Sequence, residues 1–290
     1  MSAESLVFLY EDPDRKGRSS LLSMGASQRY ELMPLTRLSA DGMLHTISSA
    51  SVTNIPETGA TSLICFGPLP FDYTGAFVQL TSVGRTSELR FNLPAAGFDN
   101  LTTSALLVRR ARSSEIAISF REQFLEPWRQ QINDAIKSVG GATVTVKGDP
   151  TLTWEMFPQS IPGLNPALRY LKIHQLLNVD LDCWAFDYEA AVTYWVLLSL
   201  DSGGRVQGFV ARSGVYVEGG VHHDAIKTRL QDSVAVGVGT LNIEIAKQLE
   251  PFSRIKLTDI YFLPGTQKSG PSAGVITGTT ADDITIVLQK

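Results

Sequence analysis

Side chains that carry oxygen ligands are concentrated in one short segment of the chain, around residue 100. Asp99 and Asn100 are followed by Thr103 and Ser104, and then by an apolar run at 105–108. Asp and Asn favour turns, whereas Thr and apolar residues suit a half-buried strand, so the sequence predicts a loop that leads into a strand. Carboxylate, amide and hydroxyl oxygens are ligands that calcium prefers. The segment is therefore a candidate cation loop.

A hydroxyl pair of the same kind occurs earlier in the chain. Ser48 and Ser49 precede a strand-like run, as Thr103 and Ser104 do. Throughout the first half of the chain, short apolar runs alternate with turn residues, which is typical of an all-β sandwich. The similar order of these runs before Ser48 and before Thr103 indicates an internal repeat of about 50 residues.

The composition indicates an ordinary globular protein with two domains. The chain has 290 residues, 43% of them hydrophobic, and this length predicts two domains. A charged stretch at 109–114 places the boundary between them, which gives domains at 1–112 and 113–290. The net charge of -4 provides no basic surface for nucleic acid. No apolar run is long enough for a transmembrane segment and the first residues lack a signal peptide, so we expect a cytoplasmic protein. Cys65 and Cys183 fit neither a disulfide framework nor a zinc spacing, which predicts reduced thiols.

The second half of the chain predicts an α+β domain with an antiparallel sheet and two long helices. Apolar residues recur at helical spacing in two segments, and the strand-like segments follow the pattern of a meander. The predicted helices are 121–138 and 222–249, and the main predicted strands are 170–182, 190–200 and 206–217. Two shorter strands are predicted at 143–146 and 151–154, and a Gly/Ser/Thr-rich loop at 264–283. The expected fold class of the whole chain is α+β.

Four carboxylates in this half are a candidate catalytic group: Asp180, Asp182, Asp187 and Glu189. Residues two apart share a strand face, so Asp180 and Asp182 would form a carboxylate pair. A polar stripe that faces solvent explains this spacing equally well. The neighbouring His222 and His223 favour a polar helix start over a metal site, because adjacent helical residues point about 100 degrees apart.

Two stretches in the first half carry a family resemblance. They are 8–19 with 47–49, and 66–75 with 99–104. Each resembles one Greek key motif of the βγ-crystallin family, which implies a double Greek key sandwich over residues 5 to about 110. In that family a glycine, here Gly17 and Gly75, adopts a backbone conformation that is costly for other residues, and an aromatic ring packs over the turn. Tyr73 fills the second aromatic position of its motif, whereas Arg15 stands there in the first.

Microbial members of the family often bind calcium through two Asn or Asp residues, two residues of any kind, Ser or Thr, and Ser. Asp99, Asn100, Thr103 and Ser104 satisfy this pattern. In the first motif the two oxygen ligands are missing, because Leu44 and His45 stand in their places.

The resemblance also implies that each calcium site takes ligands from both motifs, with a backbone carbonyl that Glu11 would supply. The implied metal ligands are Glu11, Ser48, Asp99, Asn100 and Thr103. One good calcium site and one impaired site would follow. The alternative is that Asp99 and Asn100 only cap a turn, while Ser48 and Thr103 hydrogen-bond to the backbone.

The order of the two regions resembles the abundant perithecial proteins of filamentous fungi. The resemblance implies an abundant protein of sexual fruiting bodies. We therefore expect a non-enzymatic, calcium-binding protein with a structural, storage or developmental role, and a homo-oligomer is an open possibility. The alternative is a carbohydrate- or lipid-directed hydrolase, or a lectin-like module, in the second half of the chain. The ligand of that half is not given by the sequence.

Overall fold

The fold was obtained as a computed structural model. It describes residues 5–25, 28–55, 59–69, 73–85, 87–111, 114–136, 142–156, 160–181, 187–267 and 274–290. The chain divides into two compact units. The first contains residues 1–117, 264–280 and 289, and the second contains residues 118–263, 281–288 and 290. The domain division after residue 112 stays a prediction, and the compact units add a late segment of the chain to the first of them.

Two antiparallel sheets form the first unit. One has the strand order β2 (Lys16–Met24), β1 (Ser5–Asp12), β4 (Ser49–Asn54), β7 (Ser87–Asn92). The other has the order β15 (Val275–Thr279), β6 (Ala76–Val83), β5 (Ala60–Gly67), β8 (Ser104–Arg110), β3 (Tyr30–Met33). Inward side chains of both sheets meet in one buried cluster, because strands that cover a core place alternate residues on one face. The cluster includes Val7, Leu22, Val52, Leu63, Leu80 and Leu107.

The two halves of the first unit exchange one strand each. β3 belongs to the first half but pairs with β8 of the second, and β7 belongs to the second half but pairs with β4 of the first. Each sheet therefore contains strands from both halves, so neither half completes a sheet by itself.

The prediction that the N-terminal domain is all-β is not confirmed in that form. The first unit contains a short helix, α1 (Leu35–Ala40), which begins after Pro34. Its second sheet also takes β15 from the region that the sequence predicts to be a loop at 264–283. The coarser expectation holds, because the described chain is mostly β with antiparallel sheets and a long helix late in the sequence.

The second unit is built on one large antiparallel sheet. Its strand order is β10 (Ala142–Glu155), β11 (Tyr170–Leu181), β12 (Asp187–Leu200), β13 (Val206–Val217). The predicted meander is confirmed. The two short strands predicted before it are instead one strand, β10, whose pairing with β11 shifts between Lys147 and Thr151. The turn signal at 148–150 is accommodated as a bulge, which inserts residues without ending a strand.

Two long helices of the second unit confirm the helical periodicity. They are α2 (Phe120–Ile136) and α3 (His223–Leu249). Trp128 of α2 packs edge-on against Tyr194 of β12, with ring centroids 5.1 Å apart, so α2 lies on the Tyr194 face of the sheet. The α3 residues Ile226, Leu230, Val234, Leu241, Ile245 and Leu249 are buried at helical spacing. Three further strands form a small sheet in the order β14 (Asp259–Pro264), β16 (Ile284–Gln289), β9 (Glu115–Ser119).

Candidate metal-binding site

Matching turns position the two halves of the candidate site. In the first half, the Ser49 hydroxyl donates to the Asp12 carbonyl at 2.7 Å and accepts the Arg15 backbone N–H at 3.0 Å. In the second half, the Ser104 hydroxyl accepts the Tyr73 backbone N–H at 2.8 Å. Gly17 and Gly75 have φ values of 73° and 87°, as their places in the sequence motifs predict. Ser49 and Ser104 therefore tie each hairpin turn to the strand that closes its half.

Ser48 and Thr103 also have equivalent backbone bonds. The Ser48 N–H donates to the Tyr10 carbonyl at 3.0 Å, and the Thr103 N–H donates to the Phe66 carbonyl at 2.8 Å. Both residues are buried. The backbone is thus held in the same way at Ser48 and at Thr103. The two positions differ in the side chains that surround their hydroxyl groups.

Ser48 meets the two acidic-loop residues across the boundary between the halves. Its hydroxyl oxygen lies 2.7 Å from Asp99 Oδ1 and 3.1 Å from Asn100 Oδ1. A hydroxyl has one proton and can donate it to only one of these acceptors. Three oxygens of the types that calcium prefers are therefore close together, and Asp99 and Asn100 are exposed to solvent.

Thr103 does not join this group. Its hydroxyl donates to the Phe66 carbonyl at 3.1 Å, in addition to the bond made by its own N–H. This is the backbone bonding that the sequence left open as the alternative. Near Thr103, the equivalents of Asp99 and Asn100 are Leu44, which packs against the core, and the exposed His45. Thr103 therefore faces the loop of the first half, in which the oxygen ligands are missing.

The Glu11 side chain is bound to an arginine across the first hairpin. Arg18 Nη2 and Nε donate to the Glu11 carboxylate at 2.7 Å and 3.0 Å. These bonds and the Arg18 backbone N–H lower the pKa of Glu11 to about 2. Only the backbone carbonyl of Glu11 is then left for a metal, which is the role predicted from the family resemblance. The role of Arg18 was not predicted from the sequence, where its signal was an Arg and a Glu on facing strands of one hairpin.

Two of the four candidate carboxylates, Asp180 and Glu189, lie on exposed parts of the sheet. Asp180 and Asp187 are paired across β11 and β12, and Asn178 pairs with Glu189. Asp180 is exposed, and Glu189 is exposed and forms an ion pair with Lys147. Asp182 lies outside the described residues, as does Cys183. The polar stripe proposed for Asp180 and Asp182 therefore stays a prediction.

In the part of the chain that the structure describes, the cysteine and histidine candidates do not add a second metal site. Cys65 is a free, buried thiol, and burial raises its pKa to about 12, with a smaller opposing effect of Thr102. His223 lies beside Asp224 at the exposed start of α3, as the sequence favoured. Among the described residues, no group of three or more His, Cys, Asp and Glu side chains is arranged to hold a metal ion. The Ser48 group has one carboxylate, so its other oxygens are neutral.

Comparison with known proteins adds little to this description. No protein-family profile and no curated protein matches the sequence. One solved structure that it resembles is described as the crystal structure of a lipopolysaccharide binding protein, with 12% identity and a TM-score of 0.30. The likeness covers 74% of this chain and 53% of that one, so the chain spans about half of that protein. A TM-score this low carries no argument. No helix within the described ranges is long and apolar enough to cross a membrane.

Proposed function

We propose that the first unit binds one calcium ion at the group formed by Ser48, Asp99 and Asn100. The observation that carries the proposal is the convergence of their oxygens within 3.1 Å of one hydroxyl. Ser48 comes from one half of the unit and the other two residues from the other half. An ion bound there would link both halves and stabilise the folded state, by an amount that grows with the logarithm of the free ion concentration once this exceeds Kd.

The wider proposal is a non-enzymatic βγ-crystallin-like protein with a structural, storage or developmental role. It is supported by the strand exchange between β3 and β7, and by the matching roles of Ser49 and Ser104 in the two hairpins. These are features that a duplicated Greek key requires. The hydrolase alternative receives no such support, because the described carboxylates Asp180 and Glu189 are exposed and Glu189 is already paired with Lys147.

Isothermal titration of the full chain tests the proposal. Protein stripped with a chelator is titrated with calcium and, separately, with magnesium. We expect a stoichiometry of one for calcium and weaker binding of magnesium, which requires a more regular octahedron than a loop of this kind provides. The Asp232→Ala variant, in which an exposed aspartate of α3 is removed, is the matched control and is expected to bind normally. Absence of calcium binding at millimolar concentration would refute the proposal.

A further inference from the structure

The large sheet of the second unit has a second face that its helices do not cover. Tyr194 contacts Trp128 of α2, and successive strand residues point to opposite faces. Trp195 therefore lies on the face away from α2. Its neighbours on that face are given directly by the strand register.

Three cross-strand rows make up the middle of this face. Each row takes one residue from β11, one from β12 and one from β13. The rows are Lys172, Trp195 and Arg212; His174, Thr193 and Gly214; and Leu176, Ala191 and Tyr216. We call this surface the sheet trough.

The shape of the sheet trough follows from the sizes of these residues. The middle row ends in Gly214, and the Trp195 ring lies over this glycine. A Cβ added at Gly214 would be 3.3 Å from Cζ3 of Trp195. In the third row Ala191 is small, whereas Tyr216 is 65% exposed and Leu176 is 45% exposed. Rows of one face repeat every two residues, so the rows of Trp195 and Tyr216 are roughly 13 Å apart. Two aromatic side chains thus stand at the two ends of the sheet trough, the half-buried Trp195 and the exposed Tyr216.

Two cationic side chains and one carboxylate surround the Trp195 end of the trough. Lys172 and Arg212 are its direct neighbours, and the Glu155 side chain is close enough to Trp195 and Lys172 for both to affect its ionisation. Within the described ranges, no salt bridge joins Glu155, Lys172 or Arg212 to another side chain. All three are half-buried, and burial raises the pKa of Glu155. Charges in such positions are usually paired, so their arrangement leaves a place for a charged partner.

Two hydrogen-bonding side chains belong to the middle row of the trough. His174 Nδ1 is 2.9 Å from the Thr193 hydroxyl, and both side chains are half-buried. Burial lowers the pKa of His174, which favours the neutral imidazole. A neutral imidazole and a hydroxyl can each donate and accept, which suits a ligand that carries hydroxyl groups.

We propose that the sheet trough binds an acidic saccharide, a short chain of sugars that carry carboxylates. The apolar faces of sugar rings would pack on Trp195 and Tyr216, and the separation of their rows suits an extended chain. Lys172 and Arg212 would bind the carboxylates, and Arg212 offers the planar donor pair that matches them. Glu155, His174 and Thr193 would bind hydroxyls. This site is separate from the calcium site of the first unit and is independent of it.

Binding of a tetramer of galacturonic acid to the full chain is the test. The titration is done in a calcium chelator, so that calcium neither occupies the first unit nor bridges the sugar carboxylates. A neutral tetramer of glucose and inorganic polyphosphate are the comparison ligands. We expect saturable binding of the galacturonic acid tetramer in the micromolar to low millimolar range, at least about tenfold tighter than that of the neutral tetramer. Polyphosphate is expected to bind more weakly, because it has no apolar face to place on Trp195.

Variants assign the binding to the trough. Arg212→Gln and Lys172→Gln are each expected to weaken it at least about fivefold, and Trp195→Ala to abolish it. The controls are Arg205→Gln in the exposed turn before β13, and Trp154→Phe, which alters a buried residue of β10. Melting curves identify any variant that has failed to fold. If Trp195→Ala does not fold, Arg212→Gln and Lys172→Gln still test the proposal.

Three results with the unmodified chain would overturn the proposal. They are no binding of the galacturonic acid tetramer at about 10 mM, equal binding of the neutral tetramer, and polyphosphate binding as tight as that of the sugar. Unchanged binding by Arg212→Gln and Lys172→Gln would also overturn it. Calcium titration of the same protein reports separately on the first unit, so failure of one proposal does not imply failure of the other.

Discussion

His45 and Asn100 occupy equivalent backbone positions in the two halves of the first unit. The His45 N–H donates to the Thr102 carbonyl at 3.3 Å, and the Asn100 N–H donates to the Ile47 carbonyl at 3.1 Å. Both residues have positive φ values, 57° and 55°. Such a conformation is uncommon, and Asn and His are among the residues that adopt it most readily. The two halves therefore share a loop backbone and differ in the ligands that it carries.

A second calcium site is expected when the missing ligands are restored. The double variant Leu44→Asn, His45→Asp places an amide and a carboxylate on a backbone that already has the required shape. Isothermal titration should show the stoichiometry rise from about one to about two. Leu44 packs against the core, so its loss should also cost about 1–3 kcal/mol of stability in the absence of calcium.

The matched control for this experiment is Leu44→Ala, His45→Ala. It removes the same apolar packing and adds no ligand, so it should melt at a reduced temperature and still bind one ion. A stoichiometry of one for the Asn–Asp variant, with the loop folded, would show that backbone equivalence is not sufficient for a site.

Loss of single ligands should separate Asp99 from Thr103. Asp99→Ala removes the only carboxylate of the Ser48 group and should weaken calcium binding by at least about 1.4 kcal/mol, which is tenfold in affinity. Thr103→Ala should leave the affinity unchanged, because its hydroxyl is bonded to the Phe66 carbonyl. It should instead cost about 1 kcal/mol of stability through the lost buried hydrogen bond.

Titration and melting of these two variants give both quantities. Ser48→Ala provides an independent check, since it removes an oxygen of the group but no charge. We expect an affinity between those of the unmodified chain and Asp99→Ala. The ligand assignment would be wrong if Thr103→Ala weakened binding more than Asp99→Ala did.

The pKa of Glu11 reports on its bond to Arg18. In the folded protein the bonds from Arg18 lower this pKa from an ordinary value of 4.5 to about 2. A lowered folded-state pKa means that the group contributes stability above about pH 4.5 and loses it as the pH falls towards 2. Arg18→Gln should return the pKa of Glu11 towards its ordinary value. NMR titration of the Glu11 carboxyl measures it, with the exposed Lys16→Gln as control.

Calcium binding should be nearly unaffected by Arg18→Gln. The metal role expected of Glu11 involves its backbone carbonyl, whereas Arg18 binds the carboxylate. A large gain in calcium affinity would mean that the released carboxylate enters the site, and the role given to Glu11 would then have to change.

Much of the fold could be predicted where one feature dominates the local sequence. The stripe from Ile226 to Leu249 predicted α3, and alternation predicted β11, β12 and β13, because each buries one continuous face. β15 could not be predicted in this way. Its residues are rich in Gly and Thr, and they form a strand only because the edge of β6 offers hydrogen bonds to them. That partner is remote in the sequence.

The candidate site was predictable in part for a similar reason. Asp99 and Asn100 could be identified because calcium ligands and turn residues coincide in one segment. Their meeting with Ser48 followed only from the family resemblance, since it depends on how the two halves pack. The sheet trough was not predicted at all. Trp195 and Arg212 are on different strands, and they become neighbours through a register that includes a shift at Val196.

The attachment of β15 should depend on Gly274. This residue has a φ of 74°, and a Cβ there would lie 2.8 Å from the Thr81 carbonyl oxygen. Gly274→Ala should therefore cost the strain of a left-handed residue, about 1–2 kcal/mol, and a steric clash in addition. Gly97 is the matched control, because its φ is 68° and no atom lies within 4 Å of a Cβ there. Gly97→Ala should cost the strain alone.

Hydrogen exchange of the Thr81 amide distinguishes local loss of β15 from general destabilisation. This amide donates to the Gly274 carbonyl at 2.7 Å. In Gly274→Ala it should exchange faster than in Gly97→Ala when the two are compared at equal global stability. Equal protection of Thr81 in both variants would show that β15 does not depend on Gly274.

His174 should make the second unit less stable in mild acid. Its pKa is lowered mainly because burial disfavours the imidazolium ion, and the charge of Lys172 adds to this effect. A lowered folded-state pKa means that stability is fully present above the ordinary value of 6.5 and is lost as the pH falls through the folded-state pKa. His174→Gln keeps a polar group beside Thr193 but does not titrate. Its stability should therefore decline less than that of the unmodified chain below pH 6.5.

Denaturant unfolding at a series of pH values, followed by tryptophan fluorescence, measures this difference. His45→Gln removes an exposed histidine of the first unit and is the control for the loss of an imidazole. If burial of the His174 imidazole causes the acid sensitivity, the same burial must lower its pKa. NMR titration of His174 in the folded protein must therefore give a pKa below 6.5. A higher value, or equal acid sensitivity of His174→Gln and the unmodified chain, would mean that the imidazole is not desolvated on this face of the sheet.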